Sequence, residues 1–353
     1  VLENMLADLA ALVGVESPSA DPAALARCAE VVADLGERLT GLAPQRVGPH
    51  LLWRYSARTE VLVLGHYDTV WPLGTLARWP FSVTEGVATG PGCFDMKAGL
   101  VQAFHALSTL DSLDGVAVLV TADEEIGSPG SRPLIEDTAR GARAAFVLEA
   151  SADGGALKTA RKGTSIYHLE VQGLAAHAGL EPERGVNATI ELAHQVLALS
   201  AIARPELGTT VTPSVASAGT TVNTVPAAAR VSVDVRTSSL AEQRRVDEEI
   251  RSLCPVLPGA LLRLDGGPNR PPLERSSSAA LFELAQQVSA TPLTEVAVGG
   301  ASDGNFTAGV GVPTLDGLGA VGGGAHAEGE HVVVDRMPER AELLAALIRR
   351  VLT

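Results

Sequence analysis

Three short runs of consecutive apolar residues mark the first half of the chain: Val61-Leu62-Val63-Leu64, Val116-Ala117-Val118-Leu119-Val120 and Ala144-Ala145-Phe146-Val147-Leu148. Runs of this length without polar alternation predict strands covered on both faces, as in a parallel sheet. Each gives way to polar residues: His66-Tyr67-Asp68 after the first, Asp123-Glu124-Glu125 after the second and Glu149 after the third. Between the runs the apolar period becomes helical. Leu100, Phe104, Leu107 and Leu110 share one face of a helix predicted over 95–110, and a second helix is expected over about 129–140. Two further helices, over Leu2–Leu12 and over Pro22–Leu39 with Asp21 as cap, come earlier. A β-α-β-α-β order predicts an α/β domain with a doubly wound sheet. Ligands of such sheets bind beyond the carboxyl ends of the strands, where His66, Glu124, Glu125 and Glu149 fall.

From Gly163 the pattern changes. Thr164–Val171 alternates, Asn187–Ala203 is helical, Thr209–Ala218 and Ala229–Val235 read as strands, Leu240–Leu253 as a helix and Ala260–Leu264 as a last strand. That β-α-β-β-α-β order predicts a small ferredoxin-like domain. The Pro/Gly/Ser-rich stretch from Gly266 to Ser278 reads as a hinge. After it, helix 279–289, strand 294–298, helix 303–309 and a closing helix from about Pro338 are expected to complete the first sheet. The domain assignment is therefore a catalytic domain in two parts, 1–162 and 276–353, with 163–275 inserted between them.

The 353 residues suffice for two domains, and a formal charge of −14 argues against nucleic acid or an anionic membrane surface as partner, since both select basic patches. Three cysteines, Cys28, Cys93 and Cys254, form no C-x-x-C pair and suit a reducing, cytoplasmic setting. No apolar run reaches the roughly 18 residues of a membrane span. Val1–Val15 carries Glu3 and Asp8 in a helical pattern, unlike a signal peptide.

The chemistry gathers around Gly90-Pro91-Gly92-Cys93-Phe94-Asp95-Met96-Lys97. Asp95 alone would read as a helix cap, and Cys93 as a buried spacer rather than a ligand or nucleophile. Four other stretches supply companions. His66-x-Asp68 offers an imidazole with a carboxylate to orient it, the usual support of a metal-bound histidine. Adjacent Glu124 and Glu125 repel unless a cation is shared; a solvated acidic turn is the plain alternative, and a division into ligand (Glu125) and general base (Glu124) explains the pair better. Glu149 ends an apolar strand, where a charge is costly without a partner. His326, beside the run Gly322-Gly323-Gly324, can be swung toward a site; His331 is its local competitor but enters an apolar run. Asp95, Glu125 and Glu149 bring three negative charges, which two divalent ions and one hydroxide balance. Mixed nitrogen and oxygen donors suit zinc, with cobalt or manganese as substitutes, and Asp95 is the expected bridge between two ions about 3.5–4 Å apart.

Gly65-His66-Tyr67-Asp68-Thr69-Val70, Gly92 to Gly99, Asp123-Glu124-Glu125-Ile126-Gly127-Ser128 and Gly324-Ala325-His326 resemble the motifs of the M20 family of co-catalytic zinc aminoacylases and carboxypeptidases, and within it the carboxypeptidase G2 type, the glutamate carboxypeptidases. The resemblance covers nearly the whole chain. It implies a zinc-peptidase catalytic domain with the ferredoxin-like insert as lid and dimerisation domain. It also implies two zinc ions per chain: His66 and Glu149 on one, Glu125 and His326 on the other, Asp95 bridging. Asp68 would orient His66, Glu124 would be the base, and the peptide bond after Asp95 would be cis. His177, in Ala175-Ala176-His177-Ala178-Gly179, matches a histidine that stabilises the oxyanion in a neighbouring subunit's site. Arg236 matches a guanidinium that clamps a substrate carboxylate and Asn223 a further polar contact. A solvated loop histidine and a surface ion-paired arginine are the plain alternatives for His177 and Arg236.

The expected activity is hydrolysis of the amide bond to a C-terminal amino acid, glutamate being a candidate, in an N-acyl or peptidyl substrate, by a homodimer. An aminoacylase or dipeptidase is the alternative within the class. A dinucleotide-binding oxidoreductase needs G-x-G-x-x-G after the first strand, where Gly65-His66-Tyr67-Asp68 stands. A serine hydrolase needs G-x-S-x-G, which Gly127-Ser128-Pro129-Gly130-Ser131 does not supply. A non-catalytic metal-dependent binding protein would have no need of Glu124 as a base.

Overall fold

The strand Val61–His66 pairs with Val116–Thr121 on one side and with Ala144–Val147 on the other, both in parallel, and every residue of the three strands is buried. The computed structural model describes Val1–Thr353, in two compact units: Val1–Arg161 with Leu273–Thr353, and Lys162–Pro272.

In the first unit these strands form the middle of a six-stranded sheet in the order Gln45–Val47, His50–Arg54, Val116–Thr121, Val61–His66, Ala144–Val147, Thr314–Leu315. The last four are parallel; His50–Arg54 runs antiparallel to them and Gln45–Val47 antiparallel to His50–Arg54. Side-chain alternation explains why the runs are apolar throughout. Val61, Val63, Val116, Val118 and Val120 face a core shared with helices Leu2–Val13, Pro22–Thr40, Ala98–Leu107 and Met337–Leu352. Leu62, Leu64, Ala117 and Leu119 face another, closed by Ile135, Ala139 and Phe306 from helices Arg132–Ala139 and Gly304–Gly309. Each large aliphatic side chain so buried contributes about 1.5–3 kcal/mol, so neither face can turn polar cheaply.

Ala98–Leu107 is buried at all ten positions and crosses the strand ends closely. A Cβ on Gly99 would lie 2.3 Å from the Leu148 carbonyl oxygen, so only glycine allows this approach. The helix predicted over 95–110 is thus shorter at both ends. Cys93–Lys97 forms a wider turn, with Asp95 at φ −113°, ψ 90° and a cis Asp95–Met96 peptide bond. Asp95 does not cap the helix: its N-cap is Lys97, without a side-chain cap bond.

Two other expectations are corrected. Glu295–Val298 does not join the six-stranded sheet; it pairs in parallel with Leu157–Arg161 in a separate two-stranded sheet. Apolar alternation shows that a strand has a covered face but not which neighbour it pairs with. The stretch from Gly266 is no hinge at its start, because strand Leu261–Arg270 runs through Gly266-Gly267-Pro268, with a register irregularity between Pro268 and Arg270. Glycine and proline are accommodated there on an edge strand with a bulge.

In Lys162–Pro272 a four-stranded antiparallel sheet has the order Thr210–Ala218, Ala228–Thr237, Gly163–Gln172, Leu261–Arg270. Helices Ala188–Ala201 and Leu240–Arg251, capped by Asn187 and Ser239, pack on one face. Tyr167, Leu169, Val171, Val231, Val233 and Val235 supply the sheet's side of that core. Their partners at the next positions, Ile166, His168 and Glu170, are exposed, the period-two signature of a sheet packed on one side. No helix of the structure is long and apolar enough to cross a membrane.

Candidate metal centre

His66 is the last residue of its strand and 1% exposed. Its Nδ1 faces Asp68, 3.0 Å from the backbone carbonyl and 3.3 Å from Oδ1, which leaves Nε2 to look into the site. Asp68, fully buried, also accepts from Ser19 Oγ (2.7 Å) and from the backbone N–H groups of Glu124 and Glu125 (3.2 Å each). One carboxylate thus fixes the imidazole and the turn carrying both glutamates, the arrangement that aims a metal-binding histidine.

Asp95 occupies the middle. Its Oδ1 is 3.5 Å from His66 Nε2 and its Oδ2 is 3.3 Å from His326 Nε2. Glu149 Oε1 lies 3.4 Å from His66 Nε2, and Glu125 Oε2 lies 3.1 Å from His326 Nε2. Glu124 belongs to the same neighbourhood: its carboxylate, His66 and Glu149 have potential ligand atoms within 4.8 Å of one another, as do His66, Asp95 and Glu125. His66 thus belongs to both groups, and Glu124 stands where only Asp95 is expected beside His66 and Glu149. His326, at φ +60°, sits on the hairpin between strands Gly322–Gly323 and His331–Val333. His331 stays on that hairpin, its Nδ1 against the Gly329 carbonyl.

The spacings decide what the cluster is built for. Imidazolium–carboxylate hydrogen bonds close to about 2.7–2.9 Å, whereas two donors on one tetrahedral zinc, with bonds of about 2.0–2.2 Å, stand about 3.3–3.6 Å apart. The contacts of 3.1–3.5 Å approach the second value. Glu125 Oε1 is buried without a hydrogen-bond partner, an orphan that a cation would satisfy. Hydrogen bonds accepted by Asp95 and Glu125 push the pKa of the His326 imidazole up to about 10. Burial opposes charge on His66, yet Asp68, Asp95 and Glu149 hold its pKa well above the ordinary value. Burial also works against ionised Asp95, but the two imidazoles keep it well below the carboxylate range. Burial raises Glu125. The donor set therefore fits divalent metal.

Several supporting residues carry no motif signal. Arg161, 4% exposed, donates through Nε to Asp316 Oδ2 (2.6 Å) and through Nη1 to the Gly300 carbonyl (3.0 Å), and its Nη2 lies 3.6 Å from Glu149 Oε2. Glu330 is fully buried and accepts from the Asp95 backbone (2.9 Å). Their partners are backbone groups or residues distant in sequence, so only a charged residue amid apolar or glycine-rich stretches could have flagged them. Cys93 is a buried spacer whose thiol burial pushes far up, unsuited to act as a thiolate.

The other expected site residues lie in Lys162–Pro272. His177 is exposed, pairs across a two-residue ladder with Thr224, and accepts at Nδ1 from the Gly179 N–H (3.1 Å). Asn223 is its neighbour, the Ala178 N–H donating to the Asn223 carbonyl (3.0 Å). Arg236 is on a different strand, where Nε and Nη2 both donate to Asp234 (2.9 Å).

A sheet with histidine and carboxylates at its strand ends, arranged for divalent metal, is the framework of a metallohydrolase. Residues 62–350 match the model of Peptidase family M20/M25/M40, and the chain belongs to that family. It is a metallohydrolase that cleaves amide bonds in peptide or acyl-amino acid substrates. Carboxypeptidase G2 from Pseudomonas sp. (strain RS-16) is 30% identical over 321 residues, covering 86% of this chain and 77% of that protein. A succinyl-diaminopimelate desuccinylase from Xylella fastidiosa (strain M12) is 31% identical over 320 residues, covering 83% of each. Among solved structures, aminopeptidase PepT from Bacillus cereus superposes with a TM-score of 0.79 at 21% identity, over 100% of this chain and 99% of its own.

Proposed function

We propose that this chain is a dizinc hydrolase of the carboxypeptidase G2 type, cleaving the amide bond to a C-terminal amino acid, glutamate being a candidate, in an N-acyl or peptidyl substrate. The observation that carries the two-ion reading is Asp95, with one oxygen turned to His66 and the other to His326. His66 and Glu149 would hold one zinc, Glu125 and His326 the other, with Asp95 common to both. When bound, the pair supplies Lewis acidity that polarises the amide carbonyl and makes water a nucleophile near neutral pH.

The remaining work falls to this chain's side chains. Asp68 keeps His66 Nδ1 occupied so that Nε2 is the ligating nitrogen. Glu124, 8% exposed and beside His66 and Glu149, takes the proton from the attacking water and returns it to the leaving nitrogen. Lys162–Pro272 serves in this reading as a ferredoxin-like lid and dimerisation domain. His177 stabilises the oxyanion, and Arg236 and Asn223 contact substrate, Arg236 exchanging Asp234 for a carboxylate. The similarity to desuccinylases at comparable identity favours one alternative, a deacylase releasing an amino group from an N-acyl substrate with the same metal residues.

Glu124→Gln tests the reading. Zinc content should stay at the wild-type level while amide hydrolysis falls by about 10²–10⁴-fold, the usual contribution of a general base. Zinc retained with hydrolysis unchanged would remove Glu124 from the mechanism. For His177, mixed dimers of His177→Ala and Glu124→Gln chains should recover activity; verified mixed dimers without recovery would exclude a shared site.

A further inference from the structure

Glu330 is a fully buried carboxylate that takes part in none of the chemistry assigned above. Its two oxygens accept four N–H groups. Oε1 takes the backbone of Phe94 (2.8 Å) and Asp95 (2.9 Å); Oε2 takes the backbone of Gly92 (3.0 Å) and the indole Nε1 of Trp71 (2.9 Å). Three of the four donors belong to the turn that presents Asp95. Glu330 itself closes the hairpin loop that carries His326, held there by its own N–H to the Ala327 carbonyl (3.1 Å), while Ala327 N–H donates to the Gly324 carbonyl (3.0 Å). The carboxylate is therefore a strap between two segments that each deliver a ligand.

The two ion sites depend on that strap unequally. His66 pairs with Thr121 at the end of Val61–His66, a strand held on both sides over most of its length, and Glu149 lies two residues past Ala144–Val147 of the same sheet. His326 has no such support: it is half exposed, lies at positive φ, and its hairpin strands are two and three residues long. Strand His331–Val333 pairs with Val87–Thr89 and so anchors the base of the hairpin, but beyond that strand the Glu330 carboxylate reaches from the loop to the Asp95 turn itself. Hydrogen bonds donated by N–H groups to a carboxylate are among the stronger polar contacts, and four converge on this one buried group.

We propose that Glu330 is a positioning residue for the second ion, setting the distance between Asp95 and His326 so that the His326–Glu125 pair can hold metal. This rests on the two-zinc reading. Its loss weakens the ion at His326 more than the other, which a merely structural residue would not do. Glutamine is the sharp substitution. It matches Glu330 in size, but its amide nitrogen must replace one of the two oxygens and would then face two N–H donors, so one half of the strap opens.

The test is calorimetric titration of zinc into the metal-free full-length chain, for wild type, Glu330→Gln and His326→Ala. Wild type should take up two ions in resolvable steps. In Glu330→Gln the step abolished by His326→Ala should weaken by about 10–100-fold, the scale on which partners of metal ligands act, and the other step, which shares Asp95 but keeps His66 and Glu149, should weaken clearly less. Two unchanged steps, or two steps weakened alike, would overturn the positioning role while leaving the two-zinc reading intact. Fewer than two ions on wild type would overturn that reading and this inference with it. Should Glu330→Gln fail to fold, Glu330→Asp, which keeps the charge and shortens the reach, takes the same titration with the same site-selective loss expected and the same refutation.

Discussion

Removing the Arg161 guanidinium should cost the first unit much of its stability, and the structure sets the scale. Arg161 is 4% exposed between Asp316, which is fully buried, and Glu149. Its closest approaches are 2.6 Å to Asp316 Oδ2 and 3.6 Å to Glu149 Oε2. At an effective dielectric of about 20, a charge pair about 3.6 Å apart is worth about 4–5 kcal/mol. Desolvation offsets much of that for the intact pair, but Arg161→Met removes the attraction and leaves both carboxylates buried. Asp316 keeps Ser302 Oγ (2.6 Å) and the Gly317 N–H (2.5 Å), which limits the damage. The expected loss in metal-free protein is about 3–5 kcal/mol, against a total stability of about 5–15 kcal/mol. Chemical denaturation followed by tryptophan emission reports this unit alone, because Trp53, Trp71 and Trp79 all lie in it. Zinc should restore part of the loss, since a cation beside Glu149 replaces the one removed. Asp316→Asn in the Arg161→Met background should cost less than it does alone. A metal-free loss below about 1 kcal/mol, the range of a surface pair, or strictly additive single and double variants would show that Arg161 is not the buried counter-charge of Asp316 and Glu149.

Two further outcomes follow from the same geometry. Asp68→Asn removes the charge facing His66 Nδ1 and should weaken zinc binding by about 10–100-fold in competition with a chromogenic chelator; unchanged affinity would exclude Asp68 as the group that orients His66. Burial holds the His50 imidazole below its ordinary 6.5, against the raising fields of Asp123, Asp303 and Asp68, and its Nδ1 accepts from the Ala122 N–H (3.2 Å). The unfolded chain then binds a proton the native chain refuses, so this contribution to stability is full above pH 6.5 and is lost as pH falls below it. His50→Asn should flatten that part of the acid slope, and parallel stability–pH profiles for wild type and variant would contradict it.

What the sequence reveals of this molecule divides along physical lines. Strands buried on both faces must be apolar throughout, so Val61–His66, Val116–Thr121 and Ala144–Val147 stand out before any neighbour is known. Polar residues at the ends of such strands are conspicuous for the same reason, and His66, Glu124, Glu125 and Glu149 lie together in space. Short elements leave weaker traces. Thr314–Leu315 and His50–Arg54 complete the sheet through backbone pairing that no side-chain period announces. The turn at Cys93–Lys97 merges with the helical run after it, because apolar spacing does not register a change in backbone angles. Glu330 holds backbone groups of the Asp95 turn, and Arg161 holds Asp316, each more than a hundred positions away, contacts that only the folded chain brings about.

Hydrolysis by metal-stripped protein, followed as zinc is returned stepwise to a panel of N-acyl and dipeptide substrates differing in the C-terminal residue, tests the two-zinc amidohydrolase reading most directly. Full activity should require two zinc ions per chain, and the favoured C-terminal residue, glutamate if the carboxypeptidase G2 type is right, should be released above the rest. Full activity with a single zinc per chain, or no zinc-dependent amide cleavage of any substrate, would contradict it.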